Sequence, residues 1–257
     1  MSAPVLIVAG LDKSYGGVHA VRNVSFDVAG GEMLALIGPN GAGKTTCFNL
    51  VNGQIRPDAG TVTLQGQRID GKKPRQIWRL GVGRTFQITA TFASMTVREN
   101  VQLVLLSHHR RLRSLFAAAS SLCANDADAL LARVGMLEQA DRACAVLAYG
   151  DLKRVELAIA LANAPKLLLM DEPTAGMAPK ERAGLMALTA ALARNDGIAV
   201  LFTEHDMDAV FTHADRIIVL NRGRMIAAGA PAAVRADPEV RAVYLGSDPS
   251  LASAAHA

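Results

Sequence analysis

The sequence predicts an α/β fold, a mixed sheet flanked by helices, with an N-terminal antiparallel β-subdomain and an inserted α-helical subdomain. Three observations predict it. A short apolar strand, a glycine-rich loop and a helix follow one another across residues 33–51. Strand-like and helix-like segments alternate again from Lys166 to Leu220. Between these stretches, from Thr96 to about Ala164, apolar residues recur at helical rather than strand spacing.

The elements follow in order. Val5–Ala9 and Val21–Val28 read as strands around a Gly16-Gly17 turn, the second with alternating apolar residues. Met33–Ile37 is a short apolar run that reads as a strand ending in a glycine-rich segment, and Lys44–Val51 is the helix beyond it. Thr61–Leu64 and Val82–Phe86 resume β character. In the helical stretch the periodic residues are Val97, Val101, Val104 and Leu105, then Leu130, Leu131 and Val134, then Leu152, Val155, Ile159 and Ala162. Alternation returns with a strand at Lys166–Met170, a helix from Lys180 to Ala193, a strand at Ile198–Thr203, a helix from Met207 and a strand at Arg216–Leu220. The expected division is one domain over 1–247, with its core at 1–95 and 165–247, its helical subdomain at 96–164 and a frayed tail at 248–257.

Bulk composition sets limits. The chain has 257 residues, 51% of them hydrophobic and 4% aromatic, enough to bury a large core and too apolar for disorder. Mean hydropathy is +0.22. The longest strongly apolar runs are nonetheless strand-sized, well short of the roughly 18–20 residues of a spanning helix. No basic segment precedes the apolar run in 1–10, so a signal peptide is not expected and the chain reads as cytoplasmic. Cys47, Cys123 and Cys144 lack metal-ligand spacing and read as small buried apolar residues in a reducing compartment. The net charge of +4 includes basic clusters at 68–84 and at Arg110, Arg111 and Arg113. Two readings of the clusters are open, a solvated face or proximity to anionic lipid or an acidic partner.

The segment Gly38-Pro39-Asn40-Gly41-Ala42-Gly43-Lys44-Thr45, continued by Thr46, satisfies the pattern G-x-x-x-x-G-K-[ST] in full. Its glycines let successive backbone amides turn toward phosphate oxygens, and the following helix adds its positive end. Lys44 is placed to reach the β- and γ-phosphates, and the Thr45 hydroxyl to coordinate Mg²⁺. Chance produces the pattern on the order of once in a hundred chains of this length. The strand before it and the helix after it leave a phosphate-binding loop for ATP or GTP, and hence a P-loop NTPase core of the RecA-like kind. The complementary half is Leu167–Met170 followed by Asp171 and Glu172. Asp171 ends an apolar strand, where a carboxylate can hold Mg²⁺ through water, and Glu172 is placed to polarise an attacking water.

Further strings narrow the field. Leu147-Ala148-Tyr149-Gly150-Asp151 heads a helix shortly before the Asp171 strand and resembles the signature loop of ABC-type ATPases. Gln87 after Phe86 resembles that family's Q-loop glutamine, and His205 in Thr203-Glu204-His205-Asp206 its switch histidine. Tyr15 matches the aromatic that stacks on adenine; packing under the N-terminal sheet is its alternative. The order agrees over roughly residues 5–245, and the chain is identified as resembling ABC transporter ATP-binding subunits. Gly83–Gln87, Met95–Asn100, Tyr149–Asp151, Ala175–Met177, Glu204–Asp206, Val219–Gly223 and Asp237–Gly246 resemble one branch, the larger ATPase of branched-chain amino-acid importers.

The resemblance implies ATP and Mg²⁺ as cofactors, with Thr45, Gln87 and Asp171 at the metal and Glu172, His205 and Gln87 in catalysis. It implies nucleotide contacts from Tyr15, from Gly38 through Thr46, and from Ala148, Tyr149 and Gly150 acting on a partner's nucleotide. It also implies a homologous ATPase partner, either this chain or a relative, two membrane permeases and a periplasmic solute-binding protein, with no nucleic acid. Phe92 and Met95 have two open readings, a groove for a permease helix or core of the insertion. Against other ABC ATPases acting in translation or repair, the chain shows no second cassette and no coiled-coil insertion. Lys44, Asp171, Glu172 and His205 together argue against a scaffold that does not hydrolyse. The chain departs from the general family at Ala148, where a serine is usual, at Tyr149 in place of glycine, and at Ala178, where many members carry aspartate. Ala148 removes a hydroxyl donor to the partner's nucleotide, so unequal sites are expected.

Overall fold

The computed structural model describes residues 3–85, 91–109 and 123–245. Gln87, Phe86, Arg110, Arg111, Arg113 and the tail at 248–257 lie outside them. The N-terminal strands are longer than their apolar runs. β1 (Pro4–Tyr15) and β2 (Val18–Ala29) form a long antiparallel hairpin across Gly16-Gly17. β4 (Ala59–Leu64) pairs with β1 and β5 (Gln67–Arg68) with β4, giving a four-stranded antiparallel sheet ordered β2-β1-β4-β5.

The second sheet holds six strands in the order β10-β9-β3-β8-β7-β6. Here β3 is Met33–Ile37, β6 Val82–Thr85, β7 Leu167–Asp171, β8 Ala199–Thr203, β9 Arg216–Asn221 and β10 Arg224–Gly229. Its pairs are parallel except β9 with β10, which makes the sheet mixed. Every residue of β3 and of β8 is buried, as expected for parallel strands covered on both faces.

Alternation along β3 sorts the core into two layers. Leu34 and Leu36 face a cluster that includes Cys47, Phe48, Leu50 and Val51 of α1 (Lys44–Val51) together with Leu6, Val8 and Val62 of the antiparallel sheet. Helix α1 is therefore held between the two sheets. Met33, Ala35 and Ile37 face the opposite cluster. That layer includes α3 (Val97–His108), α4 (Ala124–Arg133), α5 (Tyr149–Leu161), α6 (Pro179–Asp196) and α7 (Met207–His213). A short α2 (Pro74–Arg79) precedes β6, and α8 (Pro231–Ala236) and α9 (Pro238–Leu245) are the last described elements.

Buried Asn100 ties the insertion to the segment ahead of it. Its amide oxygen accepts from the Phe92 N–H at 2.7 Å, and its amide nitrogen donates to the carbonyls of Phe92 and Thr96 at 3.1 and 2.9 Å. Phe92 itself is 56% exposed and so does not belong to the core of the insertion, while Met95 is half-buried. Cys47 and Cys144 are buried as the sequence implies, but Cys123 is only partly so and begins α4 in the left-handed region. Together with His109 and Asp126 it forms a group of ligand-type atoms lying within 4.8 Å of one another, a proximity its sequence spacing conceals. No described helix is long and apolar enough to cross a membrane.

Candidate functional site

The loop after β3 is crowded from behind. A side chain at Gly38 would meet the Leu220 carbonyl oxygen at 2.3 Å, and one at Gly43, whose φ is +103°, would meet the Ala20 carbonyl at 2.2 Å. Only glycine lets the backbone pass so close to these neighbours. The Gly223 N–H donates to the Ala42 carbonyl at 2.9 Å, so the β9–β10 turn braces the loop. Residues 40–46, with Ala20, Glu172 and His205, line a cavity of about 210 Å³. Pro39 and Gly38 complete the loop behind that lining.

Lys44 is 8% exposed, and its Nζ donates to the carbonyls of Gly38 at 2.6 Å and Pro39 at 3.2 Å. Burial pushes its pKa below the ordinary lysine value, with the charges of Glu172 and Asp171 opposing that shift. Thr45 is exposed to the cavity and Thr46 half-buried. Cys47, one turn into α1, is fully buried and its thiol is pushed up to about 12. It therefore stays an unreactive thiol beside the phosphate loop.

The carboxylates arrive from β7. In the parallel pair β7–β8, Asp171 lies opposite Thr203, the last residue of its strand. The Thr203 hydroxyl donates to Asp171 Oδ1 at 2.8 Å and accepts the Glu172 N–H at 3.1 Å. The other Asp171 oxygen faces the Arg84 guanidinium at 3.6 Å. Burial lowers the Arg84 pKa and the Asp171 charge raises it, so the pair partly offsets its own desolvation. Glu172 has a positive φ of 50°, a left-handed backbone that costs a non-glycine residue roughly 1–2 kcal/mol. Such strain concentrates at functional sites. The turn sets the Glu172 carboxylate 2.7 Å from His205 Nε2, with His205 half exposed.

Below this pair, buried Glu204 accepts from the Thr174 N–H and hydroxyl at 2.9 and 2.7 Å. Asp206 caps α7 by accepting the Ala209 N–H and is ion-paired with Arg182, which also donates to the Met177 carbonyl. Thr203, Arg84, Glu204 and Arg182 all support the site, and none was singled out for a role from the sequence. Thr203 is recognisable only once the β7–β8 register is known.

The structure thus brings residues 40–46, Glu172 and His205 around one cavity, with Asp171 beside it. Tyr15 is not among the lining residues. It ends β1 on the exposed hairpin, 48% exposed, with Lys13 Nζ 5.6 Å from its ring centre. The signature loop also stands apart. Ala148 is the N-cap of α5 and offers no side-chain cap, Tyr149 is exposed and packs near Gly176, and Gly150 is buried against the Glu181 carboxylate. Gln87 lies outside the described residues.

A phosphate loop between a buried parallel strand and a helix, facing a strand-end carboxylate pair, defines an ATPase of the P-loop class. The model of the ABC transporter family matches residues 21–175, and that of the branched-chain amino acid ATP-binding cassette transporters matches residues 224–249. The chain belongs to the ABC transporter family as an ATP-binding, ATP-hydrolysing subunit. It is 42% identical to the high-affinity branched-chain amino acid transport ATP-binding protein LivG of Salmonella typhimurium, over 96% of this chain and 99% of that one. It is 39% identical, with the same coverage, to the corresponding protein BraF of Pseudomonas aeruginosa. The crystal structure of the ADP conformation of MJ1267, an ATP-binding cassette of an ABC transporter, superposes with a TM-score of 0.84 at 29% identity, covering 95% of this chain and 100% of the other.

Thr203→Val keeps the shape of this buried residue and removes the hydroxyl that Asp171 and Glu172 share. It is expected to lower ATP turnover about tenfold with little change in nucleotide affinity. Phosphate release measured across ATP concentrations checks this, and an unchanged kcat contradicts it.

Proposed function

We propose that the chain energises uptake of branched-chain amino acids or closely related small solutes, working on the cytoplasmic face of the membrane as one ATPase of an importer. The observation that carries the solute class is the near full-length likeness to LivG and BraF, joined to the separate match of residues 224–249. The partners in this reading are a homologous ATPase, two membrane permeases and a solute-binding protein outside the membrane. The division into a core at 1–95 and 165–247 and a helical subdomain at 96–164 belongs to the same proposal, with the exposed Phe92 on the face that meets a permease.

In the proposed mechanism the amides of residues 41–46 and the Lys44 ammonium hold the nucleotide phosphates at the N-terminus of α1. Thr45 and Asp171 offer the hydroxyl and carboxylate oxygens that suit Mg²⁺, and Gln87 joins them. The ion, when bound with ATP, neutralises charge on the phosphates. Glu172 polarises the attacking water, held in place by its strained turn and the bonds of its N–H to Thr203. His205, already hydrogen-bonded to Glu172, contacts the γ-phosphate and separates the ATP state from the ADP state. Tyr15 stacks on the adenine. Ala148, Tyr149 and Gly150 at the start of α5 complete the partner subunit's site, with free amides and a helix dipole aimed at its γ-phosphate.

In a strain lacking the gene, the wild-type chain is expected to restore uptake of radiolabelled leucine. Glu172→Gln should restore none, and its assembled complex should release phosphate at least about a hundredfold more slowly while still binding ATP. Unaltered phosphate release by this variant overturns the catalytic assignment, and uptake of another solute class alone overturns the substrate.

Ala148 lacks the hydroxyl that a serine would offer the partner's nucleotide, a bond to a charged group worth roughly 1.5–3 kcal/mol. Ala148→Ser in the assembled complex is expected to tighten ATP binding at the site it completes by about tenfold. Unchanged nucleotide affinity and turnover contradict the proposed inequality of the two sites.

A further inference from the structure

The carboxyl end of α3 and the amino end of α4 meet at the surface of the helical layer. His109 is the exposed C-cap of α3, Cys123 is the N-cap of α4, and Asp126 stands exposed in the first turn of α4. A ring nitrogen of His109, the Cys123 Sγ and an Asp126 carboxylate oxygen all lie within 4.8 Å of one another. Cys123 is a free, partly buried thiol that makes no side-chain cap bond to its helix. Its φ of 58° is a left-handed backbone, costly for a residue with a Cβ.

The packing beneath sets this arrangement. Val101 and Leu105 of α3 share one core cluster with Ala127 and Leu131 of α4, and Arg98 Nε donates to Asp128 Oδ1 at 2.6 Å. The rings of Trp78, His108 and His109 meet edge to face in a row, with centroids 5.6 and 5.3 Å apart, which orients the His109 imidazole. Helix α3 points its partly negative carboxyl end at the cluster, where a cation is favoured. The amino end of α4 favours the thiolate form of Cys123.

Imidazole nitrogen, thiolate sulfur and carboxylate oxygen form a donor set that suits Zn²⁺ and not Mg²⁺ or Ca²⁺, which take oxygen alone. In a tetrahedral Zn²⁺ site, bonds of about 2.0–2.3 Å place ligand atoms roughly 3.3–3.8 Å apart. Small rotations of these side chains reach that spacing from the one observed. We propose that His109, Cys123 and Asp126 bind a divalent transition-metal ion of the Zn²⁺ class, with water as the fourth ligand. The Cys123 thiol gives its proton to solvent as the metal–sulfur bond forms. The ion clamps the end of α3 to the start of α4 across residues 110–122. None of the three residues lines the nucleotide cavity, so the proposal stands apart from the ATPase chemistry.

Co²⁺ is the probe, because a thiolate ligand gives it a charge-transfer absorption that oxygen and nitrogen donors do not. The nucleotide-site donors Thr45 and Asp171 carry no sulfur, and Cys47 and Cys144 are buried. The purified, reduced full-length chain, freed of metal and nucleotide, is expected to develop the band to saturation at about one Co²⁺ per chain and to lose it on adding Zn²⁺. Cys123→Ser should abolish the band, and His109→Ala and Asp126→Asn should each weaken Zn²⁺ binding at least about tenfold in competition with a chromophoric chelator. Saturating Zn²⁺ should raise the melting temperature of wild type by several degrees and leave that of Cys123→Ser nearly unmoved. No band in wild type, or an undiminished band in Cys123→Ser, overturns the proposal. Zn²⁺ affinity unchanged in either of the other variants overturns it as well, and a wild-type melting temperature that Zn²⁺ does not move overturns the clamp.

Discussion

The ammonium of Lys44 donates to two carbonyls of its own loop from a side chain that is 8% exposed, and the rest of the site depends on holding it there. A buried cation is costly unless it is hydrogen-bonded and faced by opposite charge. Both conditions are met, by Gly38 and Pro39 at the ammonium and by Asp171 and Glu172 through their charge. The lowered pKa shows that burial outweighs those charges. Lys44 thus stays poised for a polyanion.

Strand order makes the meeting of these groups possible. β8 lies between β3, which delivers the loop, and β7, which delivers the carboxylates, and all run parallel with carboxyl ends at one edge. Thr203 at the end of β8 bonds both Asp171 and the backbone of Glu172. Behind the loop, Leu220, Gly223 and Ala20 press on its backbone and admit only glycine at two positions. The chemistry faces outward because the sheet and its turns occupy the inside.

Much of this is legible in the sequence. β3 and α1 fall on the limits their pattern implies, because a short buried run, a glycine-rich loop and a helix are sharply different signals. β1 runs past its apolar stretch to Tyr15, because register shifts and the polar Asp12 and Lys13 obscure its alternation. β10, α8 and α9 are too short to stand out in the sequence, with six, six and eight residues, and α8 is seated on the core through Val234. The phosphate loop, Asp171 and Glu172 are named by their motifs, and His205 by resemblance to the family's switch histidine. Thr203 and Arg84 could not be named so, because their roles arise from pairing across 32 and 87 residues of sequence (171 to 203, 84 to 171).

The central claim, that the fold holds a buried, hydrogen-bonded cation in place for phosphate, is tested most directly by Lys44→Met in the full-length chain. Thermal unfolding without nucleotide and equilibrium binding of ATP with Mg²⁺ are measured on the same preparation. The account predicts a melting temperature within a few degrees of wild type, because an apolar chain of similar length fills the same space. It predicts at the same time a loss of ATP affinity of at least about a hundredfold. A variant that melts several degrees lower while binding ATP as tightly as wild type contradicts it.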